Sequence, residues 1–144
     1  MIEIGVWKDV KRTFFDRDAV IIRLTKADYE ALGRIGSYVR TVAKNSIKNK
    51  AGSAPPGSPP HTHIDEPLKK GILFGYDRKS LSVVIGPTYW KHNRRYDDIY
   101  EMLEYGGYTI RKNRGAHYSA RPFMGPAMEA SAPFDRFWKD SVTA

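Results

Sequence analysis

Apolar side chains recur at intervals of three and four between residues 17 and 49, which is the period of an amphipathic helix. Asp16 is a suitable N-cap for this segment. The apolar stripe changes direction after Ala31, and Thr25 with Asp28 resembles a weak capping box. The pattern therefore predicts either one long bent helix or two successive helices. The apolar positions are Val20, Ile21, Leu24, Ala27, Ala31, Leu32, Ile35, Gly36, Val39, Ala43 and Ile47.

Other segments have the alternation or the composition of β-strands. Residues 1–7 alternate loosely between apolar and other side chains and predict a short strand. Residues 71–87 contain two runs rich in Ile, Val and aromatic side chains around the polar turn 77–80, so they predict an antiparallel hairpin at the centre of the sheet. Residues 108–118 predict a strand or a second hairpin, with its turn at 113–115.

Two short helices are predicted in the second half of the chain. Asp97 precedes apolar residues at helical spacing, and Gly106 can close that helix in the left-handed conformation, which predicts a helix over 97–105. Pro122 and Pro126 suit the entry and the first turn of a helix but not its interior. The last helix is therefore expected to begin near these prolines.

The C-terminal tail, residues 132–144, contains Phe134, Phe137 and Trp138 and is too apolar for a free terminus. We expect it to dock on the domain, the alternative being that it binds a partner. These elements together predict an α+β fold. A long amphipathic N-terminal helix would pack on a small, mainly antiparallel sheet, with short helices after the central hairpin and near the C-terminus.

Residues 51–67 are rich in proline and glycine, which remove backbone donors and restrict the preceding residue. The segment is predicted to be a flexible loop or extended arm that connects the elements or runs over a neighbouring subunit. An alternative is a polyproline segment presented to a recognition domain. The residues predicted for such an interaction loop are Pro55, Pro56, Gly57, Pro59 and Pro60.

Composition limits the classes of function. A chain of 144 residues with 41% hydrophobic content can bury one core, so a single domain over 1–144 is expected. Cysteine is absent, which excludes disulfides, thiolate catalysis and cysteine-based zinc sites. No segment resembles a signal peptide or a membrane span, and a soluble protein made in a cytoplasm is expected. The net charge of +8 favours contact with nucleic acid or an acidic protein surface.

Several basic residues are candidates for contact with DNA. Arg40, Lys44 and Lys48 repeat every four residues, so they are predicted to form a ridge beside the apolar face of the long helix. In an isolated monomer an ordinary solvated face is the simpler interpretation, whereas a ring around DNA favours a nucleic-acid surface. The other candidates by charge are Arg94, Arg95, Arg111, Lys112 and Arg114.

The sequence contains no constellation that predicts catalysis. His61 and His63 would supply at most two metal ligands from a proline-rich loop, whereas a catalytic zinc site usually has three. Asp97, Glu101 and Glu104 lie on one short helix, and acidic residues at a helix start are explained by the helix dipole. Nucleophile elbows, phosphate loops and dinucleotide fingerprints are absent. We therefore predict no enzyme, no catalytic residue, no cofactor and no metal site.

Three segments in this order resemble the tail-completion, or head–tail joining, proteins of tailed bacteriophages and prophages. They are the proline motif at 53–60 (Ser-Ala-Pro-Pro-Gly-Ser-Pro-Pro), the Leu-Glu-Tyr-Gly-Gly motif at 103–107 and the Ala-Arg-Pro-Phe motif at 120–129 (Ala-Arg-Pro-Phe-Met-Gly-Pro-Ala-Met-Glu). The resemblance extends over residues 15–142. The family usually has a Thr-Gly pair and a leucine after the proline loop, whereas this chain continues His-Thr-His-Ile-Asp-Glu-Pro-Leu.

The resemblance implies a structural virion protein, assembled in the bacterial host cytoplasm. It would form a ring at the neck of the particle and join the head-completion or connector protein to the tail-terminator or tail-tube protein. Genomic DNA would pass through without specific recognition, so the basic candidates would line the lumen. Independently of the resemblance, the motif Arg121, Pro122 and Phe123 is expected to anchor the last helix, because buried aromatics are the default, and the alternative is a contact with a partner. In this motif, Arg121 is expected to satisfy carbonyl groups or a carboxylate near the turn.

A different class of function remains open at this point. A small basic nucleic-acid-binding module would also carry a high positive charge, and aromatic side chains could stack on single-stranded bases. The best patch for this interpretation interleaves aromatic and basic residues: Tyr89, Trp90, Lys91, Arg94, Arg95 and Tyr96.

Overall fold

The computed structural model describes residues 17–62, 67–88, 97–111 and 114–139. Several predicted features lie outside the described residues, among them the strand at 1–7, the N-cap Asp16 and the aromatic and basic patch at 89–96. The helices are α1 (Arg17–Ser46), α2 (Pro67–Gly71), α3 (Asp97–Tyr105) and α4 (Met124–Ser131), and a 3₁₀ turn (Asp135–Phe137) follows. The strands are β1 (Lys48–Asn49), β2 (His61–Thr62), β3 (Ile72–Asp77), β4 (Ser82–Pro87), β5 (Gly107–Arg111) and β6 (Arg114–Tyr118).

α1 is one continuous helix of 30 residues, so the alternative of two successive helices is wrong. The Thr25 hydroxyl donates to the Ile21 carbonyl oxygen inside the helix, at 2.8 Å, and does not cap a new one. Ile21 and Leu24 are each 47% exposed, although both belong to the predicted stripe. The stripe is buried only further along, at Ala27, Ala31, Ile35, Val39, Ala43 and, just after the helix, Ile47.

β3 and β4 form the predicted antiparallel hairpin, which we call the first hairpin. Its Phe74 and Ile85 are cross-strand partners. Gly36 of α1 makes room for the Phe74 ring, because a Cβ at residue 36 would lie 2.5 Å from Phe74 Cδ2. Nearer the start of α1, the rings of Tyr29 and Tyr76 meet edge to face with centroids 4.2 Å apart. The first hairpin therefore packs one face along the middle of α1.

α3 covers the residues predicted for it, and Gly106 ends it with a φ of 73°. The Gly106 N–H donates to the Met102 carbonyl oxygen at 2.9 Å, the bond expected for a left-handed helix end. β5 and β6 then form an antiparallel second hairpin. Arg114 and Gly115 belong to β6, so the predicted turn at 113–115 is wrong by its last two residues. Pairing of Arg111 with Arg114 leaves only two residues to connect the strands.

α4 starts at Met124, close to the predicted position, and Pro126 lies in its first turn, where no intrahelical donor is needed. The described part of the tail docks on the domain, as predicted. Its aromatic side chains, Phe134, Phe137 and Trp138, are partly buried against the core. The Trp138 Nε1–H donates to Asp28 Oδ1 of α1 at 2.8 Å, which satisfies the indole donor.

Within the described residues, the strands form three separate two-stranded sheets. The expectation that the first hairpin is the centre of one larger sheet is therefore wrong. β1 and β2 are parallel, and the two hairpins are antiparallel. The fold is α+β, as predicted, with a long helix, small and mainly antiparallel sheets and short later helices. The core lies between α1, the first hairpin and α4, around Val39, Ile72, Phe123 and Ala127.

Candidate functional site

Glu104, near the C-terminal end of α3, caps the N-terminus of α4. Its Oε2 accepts hydrogen bonds from the backbone N–H groups of Phe123 at 3.0 Å and Met124 at 3.1 Å. Its Oε1 accepts a third from the Gly125 N–H at 2.7 Å. Phe123 occupies the N-cap position and makes no side-chain capping bond of its own. The carboxylate satisfies otherwise unpaired donors and interacts favourably with the helix dipole, so a residue 19 positions upstream replaces the local cap.

Arg121 connects the Ala-Arg-Pro-Phe motif to both other motifs. Its backbone N–H donates to the Leu103 carbonyl oxygen at 2.6 Å, and its Nε donates to the Ala54 carbonyl oxygen at 2.8 Å. Its Nη1 also donates to the Ser119 carbonyl oxygen at 3.2 Å. Through its backbone N–H and its side chain together, Arg121 thus joins its own segment to two others that are far apart in sequence. We call this region, built from Ala54, Glu104, Gly106, Arg121 and Phe123, the three-motif junction.

Gly106 lets the chain segments of the junction approach closely. A Cβ at this position would lie 2.9 Å from the Tyr118 carbonyl oxygen and 3.0 Å from the Ala120 nitrogen. Both of these atoms belong to the backbone, which cannot move aside as a flexible side chain can. The positive φ of 73° adds a second reason for glycine at this position.

Phe123 fixes the junction to the core. Its side chain is 1% exposed and belongs to the same buried cluster as Ile47 and Ile72. Pro122 before it is partly buried. The helix-anchoring interpretation of this motif therefore fits its position, whereas a partner-facing role does not fit a phenylalanine that has almost no exposed surface.

The described part of the proline-rich loop lies against the junction. β1 and β2 pair at its two ends, so residues 50–60 form a closed loop and not an extended arm. The Gly57 N–H donates to the Ala120 carbonyl oxygen at 2.8 Å. Pro55 and Pro56 are exposed, Pro59 is partly buried and Pro60 is buried. Flexibility of residues 51–67 and a role in binding neighbours stay predictions.

The first group of basic candidates is only partly the predicted ridge. Arg40 is half-buried, and its Nε donates to the Ile72 carbonyl oxygen at 2.8 Å, so it holds the start of the first hairpin. Lys44 follows one turn later. α1 ends at Ser46, and Lys48 lies in β1, so the ridge is wrong at its last member. Partial burial, and secondarily the positive charge of Arg40, lower the pKa of the Lys44 amine. A nearby anion would favour the charged amine and raise this pKa again.

The second group lies at the end of the second hairpin. Arg111 and Arg114 are directly opposite each other in the register, and Arg114 is exposed. The remaining candidates, Arg94, Arg95 and Lys112, lie outside the described residues. The described candidates are therefore divided among three elements, with Arg40 and Lys44 on α1, Lys48 on β1, and Arg111 and Arg114 on the second hairpin.

The second hairpin carries an exposed apolar face. Tyr108 and Ile110 point to the same side and are 67% and 70% exposed. Their cross-strand partners are His117 and Gly115, and the Tyr108 ring lies over Gly115, in the space a Cβ would need. Every residue of β6 is exposed. Nothing in the described part of the chain buries these two large side chains.

The first hairpin has a second apolar surface on the side that does not face α1. Leu73 is 44% exposed and Val84 is 64% exposed. They line a shallow groove of about 460 Å³ together with Phe74, Gly75, Tyr76, Asp77, Gly86, Pro87 and Thr88. Among the described residues of this lining, Asp77 is the only charged one. Hydrogen bonds from the Ser80 hydroxyl and from backbone N–H groups of the turn lower the pKa of the Asp77 carboxyl, so it is anionic at neutral pH.

The described residues contain no cluster of metal-binding side chains. Within 17–62, 67–88, 97–111 and 114–139, no three His, Asp or Glu side chains could hold a metal ion. No helix in these ranges combines the length and the apolar character needed to span a membrane. His61 lies in β2 with its Nδ1 3.3 Å from the Gly52 carbonyl oxygen, and His63 lies outside the described residues. The absence of enzymatic activity stays a prediction.

Sequence reasoning missed the role of Glu104. The sequence pattern predicts that the acidic residues of α3 interact with the dipole of their own helix, whereas Glu104 lies near the C-terminal end of α3 and caps the N-terminus of α4. A signal existed, because the helix start near Pro122 and Pro126 has no Ser, Thr, Asp or Asn in the capping position. A helix start without a local cap requires an acceptor from another segment.

Comparison of the chain with protein-family models, curated proteins and solved structures finds no significant match.

Proposed function

We propose that this chain is a structural protein of a tailed phage or prophage virion, and that it forms part of a ring at the head–tail junction. The proposal starts from the resemblance of three ordered motifs to tail-completion proteins. In the virion, its partners would be further copies of itself, the connector or head-completion protein on one side and the tail-terminator or tail-tube protein on the other.

The observation that carries the proposal is the three-motif junction. Residues from all three motifs bind one another through main-chain groups, Glu104 and Arg121. The motifs therefore contribute hydrogen bonds that stabilise the fold. This contribution requires no reactive group, as expected for a structural subunit. The same body leaves apolar side chains exposed on both hairpins, which suits a chain that is completed by neighbouring subunits.

The basic residues fit a passive role beside DNA. Arg114 is exposed at the end of the second hairpin, and the positive net charge of +8 would attract a passing polyanion. Arg40 is partly engaged by the Ile72 carbonyl oxygen, so it offers less of its guanidinium to a phosphate. We accordingly rank the second-hairpin pair above Arg40 and Lys44 as the lumen-facing residues.

Disruption of the gene in the phage or prophage that encodes it tests the proposal. Electron microscopy of the induced lysate should show DNA-filled heads and separate tails, and wild-type protein supplied from a plasmid should restore joined particles. A lysate with normal numbers of joined particles would overturn the proposal, as would a defect confined to DNA replication or packaging.

A small nucleic-acid-binding module is the second candidate, favoured by the chain from Tyr105 to Met128, which contains four Arg or Lys residues and no acidic residue. The two functions differ in their dependence on salt, because each neutralised phosphate releases counterions. The mass of the protein with and without duplex DNA should be measured at low and at moderate salt. Weak binding that salt abolishes supports the joining function, and tight binding that survives moderate salt favours the module.

A further inference from the structure

We propose that the tip of the proline-rich loop, residues 55–58, is a preformed turn that binds an aromatic-lined surface of the head or tail particle. The inference rests on the proposed function in one respect, namely that the chain meets assembled heads or tails. It adds the segment that makes the contact and the chemistry of the surface that this segment fits. The tip is thereby an ordered binding element, in contrast to the flexible arm that its composition predicts.

Residues 55–58 form a type II turn. The Ser58 N–H donates to the Pro55 carbonyl oxygen at 3.2 Å, Pro56 occupies the first central position, and Gly57 occupies the second with a φ of 78°. Proline and glycine are the residues that these two positions favour. The Ser58 hydroxyl donates to the same carbonyl oxygen at 2.7 Å. The local sequence therefore specifies the conformation of the tip before any partner is present.

The three-motif junction holds this turn in place. The Gly57 N–H donates to the Ala120 carbonyl oxygen at 2.8 Å, and Arg121 Nε donates to the Ala54 carbonyl oxygen, also at 2.8 Å. Ala54 is 3% exposed, whereas residues 55–57, which follow it, are all exposed. A segment that is already ordered loses little conformational entropy when it binds. The anchoring bonds therefore favour binding although they lie on the inner side of the turn.

The tip offers a partner neither charge nor a hydrogen-bond donor. Residues 51–60, all of which the structure describes, contain no charged side chain. Prolines have no N–H, and the N–H groups of Gly57 and Ser58 and the Ser58 hydroxyl all donate within the chain. The groups that residues 55–58 leave for a partner are two pyrrolidine rings and oxygen atoms that accept hydrogen bonds.

These groups define the chemistry of the partner. A phosphate or a carboxylate binds through positive charge and donors, so neither nucleic acid nor an acidic surface gains from this tip. Aromatic rings pack against proline rings, and a Tyr hydroxyl or a Trp N–H can donate to a main-chain carbonyl oxygen. The tip is therefore suited to a protein surface lined with Tyr or Trp. This contact is separate from the basic residues that we propose face DNA.

Binding to purified heads and tails tests the contact. Heads and tails from a lysate that lacks the protein would be sedimented with fluorescently labelled chain at increasing concentrations, and the bound fraction would be measured. Pro56→Lys should weaken binding to one of the two particles at least about tenfold, because a charge then enters an apolar contact. Ala51→Lys is the matched control, since Ala51 is exposed in the same loop but lies outside the turn. It should bind as the wild type does.

A pair of glycine substitutions tests whether the preformed turn is required. Gly57→Ala and Gly52→Ala introduce similar strain, because the two residues have φ values of 78° and 86° and neither new Cβ has an atom within 4 Å. Only Gly57 belongs to the turn. Gly57→Ala should therefore weaken particle binding several-fold and speed amide hydrogen exchange at Ser58, whereas Gly52→Ala should leave both unchanged. Thermal denaturation checks that both variants are folded.

A photoreactive amino acid in place of Pro56 tests the chemistry of the partner surface. In joined particles it should cross-link to a head or tail protein, and mass spectrometry of the linked peptide should place the link beside a Tyr or a Trp. Cross-links only to DNA, or only to other copies of the chain, would overturn the inference.

Other results would also contradict the inference. Wild-type binding strength in Pro56→Lys would show that the partner does not contact the tip, and stronger binding would indicate an acidic partner. Fast amide exchange at Gly57 and Ser58 in the isolated wild-type chain would show that the turn is not preformed. If Pro56→Lys joins heads to tails normally, the contact is wrong and the joining function stands. If the tip binds one particle but gene disruption leaves head–tail joining intact, the contact stands and the proposed function fails.

Discussion

The three-motif junction and the second hairpin are adjacent in the chain, and they differ in almost every physical respect. In the junction, Glu104 and Arg121 are hydrogen-bonded to main-chain groups, and Phe123 is 1% exposed. One residue beyond Gly106 the chain enters a hairpin whose Tyr108 and Ile110 are mostly exposed. The first region is complete within one chain, and the second has an apolar face that the described residues do not cover.

The difference separates residues that hold the folded chain together from residues whose apolar side chains stay exposed. The three motifs that carry the family resemblance lie in the junction, so their roles in this structure are capping, bridging and packing. Most of the large exposed apolar side chains lie outside those motifs, and they include Leu73, Val84, Tyr108 and Ile110. Motif residues can therefore act in folding while the exposed apolar surface lies in less distinctive sequence.

The largest expected effect is at Phe123. Phe123→Ala should lower the free energy of unfolding by about 3–5 kcal/mol, because it removes a fully buried ring and leaves a cavity between α1 and α4. Chemical denaturation followed by circular dichroism measures the loss. Tyr108→Ala removes a ring of similar size from the second hairpin and is the matched control. Equal losses for the two variants would contradict the distinction between the regions.

Glu104→Ala should cost about 1–3 kcal/mol, since three backbone donors of α4 lose their charged acceptor. Glu104→Gln keeps one acceptor oxygen and should cost less. Glu129→Gln, an exposed change in the same helix α4, should stay within about 0.5 kcal/mol of the wild type. Faster amide hydrogen exchange at Phe123, Met124 and Gly125 in Glu104→Ala would show that the loss of stability arises at the start of α4. An unchanged exchange rate there would show that the cap is not required.

Two glycine substitutions should change the stability in opposite directions. Gly106→Ala should destabilise by about 1–3 kcal/mol, because the residue has a positive φ and a new Cβ would meet the backbone of Tyr118 and Ala120. Gly33→Ala lies inside α1 with nothing within 4 Å of the new Cβ and should stabilise by about 0.5–1 kcal/mol. The unfolding midpoints of both variants test the pair. A stabilising Gly106→Ala would show that the junction is less crowded than described.

Ile110→Thr should change the free energy of unfolding of the isolated chain by less than about 0.5 kcal/mol, because the side chain is 70% exposed and keeps a β-branched shape. Thermal denaturation measures this. The same variant should join heads to tails poorly in a lysate that lacks the protein. A large loss of stability together with normal joining would show that Ile110 contributes to folding and not to head–tail joining.

The smallest effect concerns the turn of the first hairpin. The Ser80 hydroxyl, with backbone N–H groups, lowers the pKa of Asp77 in the folded chain. A lowered folded-state pKa stabilises the fold above the ordinary aspartate pKa, and this contribution is lost as the pH falls through the folded-state value. An NMR titration of the Lys79 and Ser80 amides should therefore have a midpoint below the ordinary aspartate value. Asp77→Asn should remove the titration, and a midpoint at or above the ordinary value would contradict the turn geometry.

Local patterns were sufficient to predict most of the elements. The spacing of apolar residues identified α1, the alternation around a polar turn identified the first hairpin, and Asp97 with Gly106 gave the limits of α3. These features depend on residues close in sequence, which interact through capping, periodicity and turn geometry. The aromatic tail was also assigned correctly, because three aromatic side chains cannot remain free in water at low cost.

Long-range pairing is what the sequence did not reveal. The bond from Arg121 to the Ala54 carbonyl oxygen joins residues 67 positions apart, and Glu104 caps a helix 19 or more positions away. The burial of α1 from Ala27 onward, with Ile21 exposed, likewise depends on where the first hairpin and α4 pack. A helical period states that one face is apolar and does not state which turns of that face are covered.

The most direct test of the account counts joined particles by negative-stain electron microscopy. Heads and tails from a lysate that lacks the protein would be mixed with purified wild-type chain, with Ile110→Arg or with Met128→Arg, each first shown to have wild-type thermal stability. We predict that the wild type and Met128→Arg join heads to tails and that Ile110→Arg does not. Joining by Ile110→Arg at the wild-type level, or no joining by the wild type, would contradict the account.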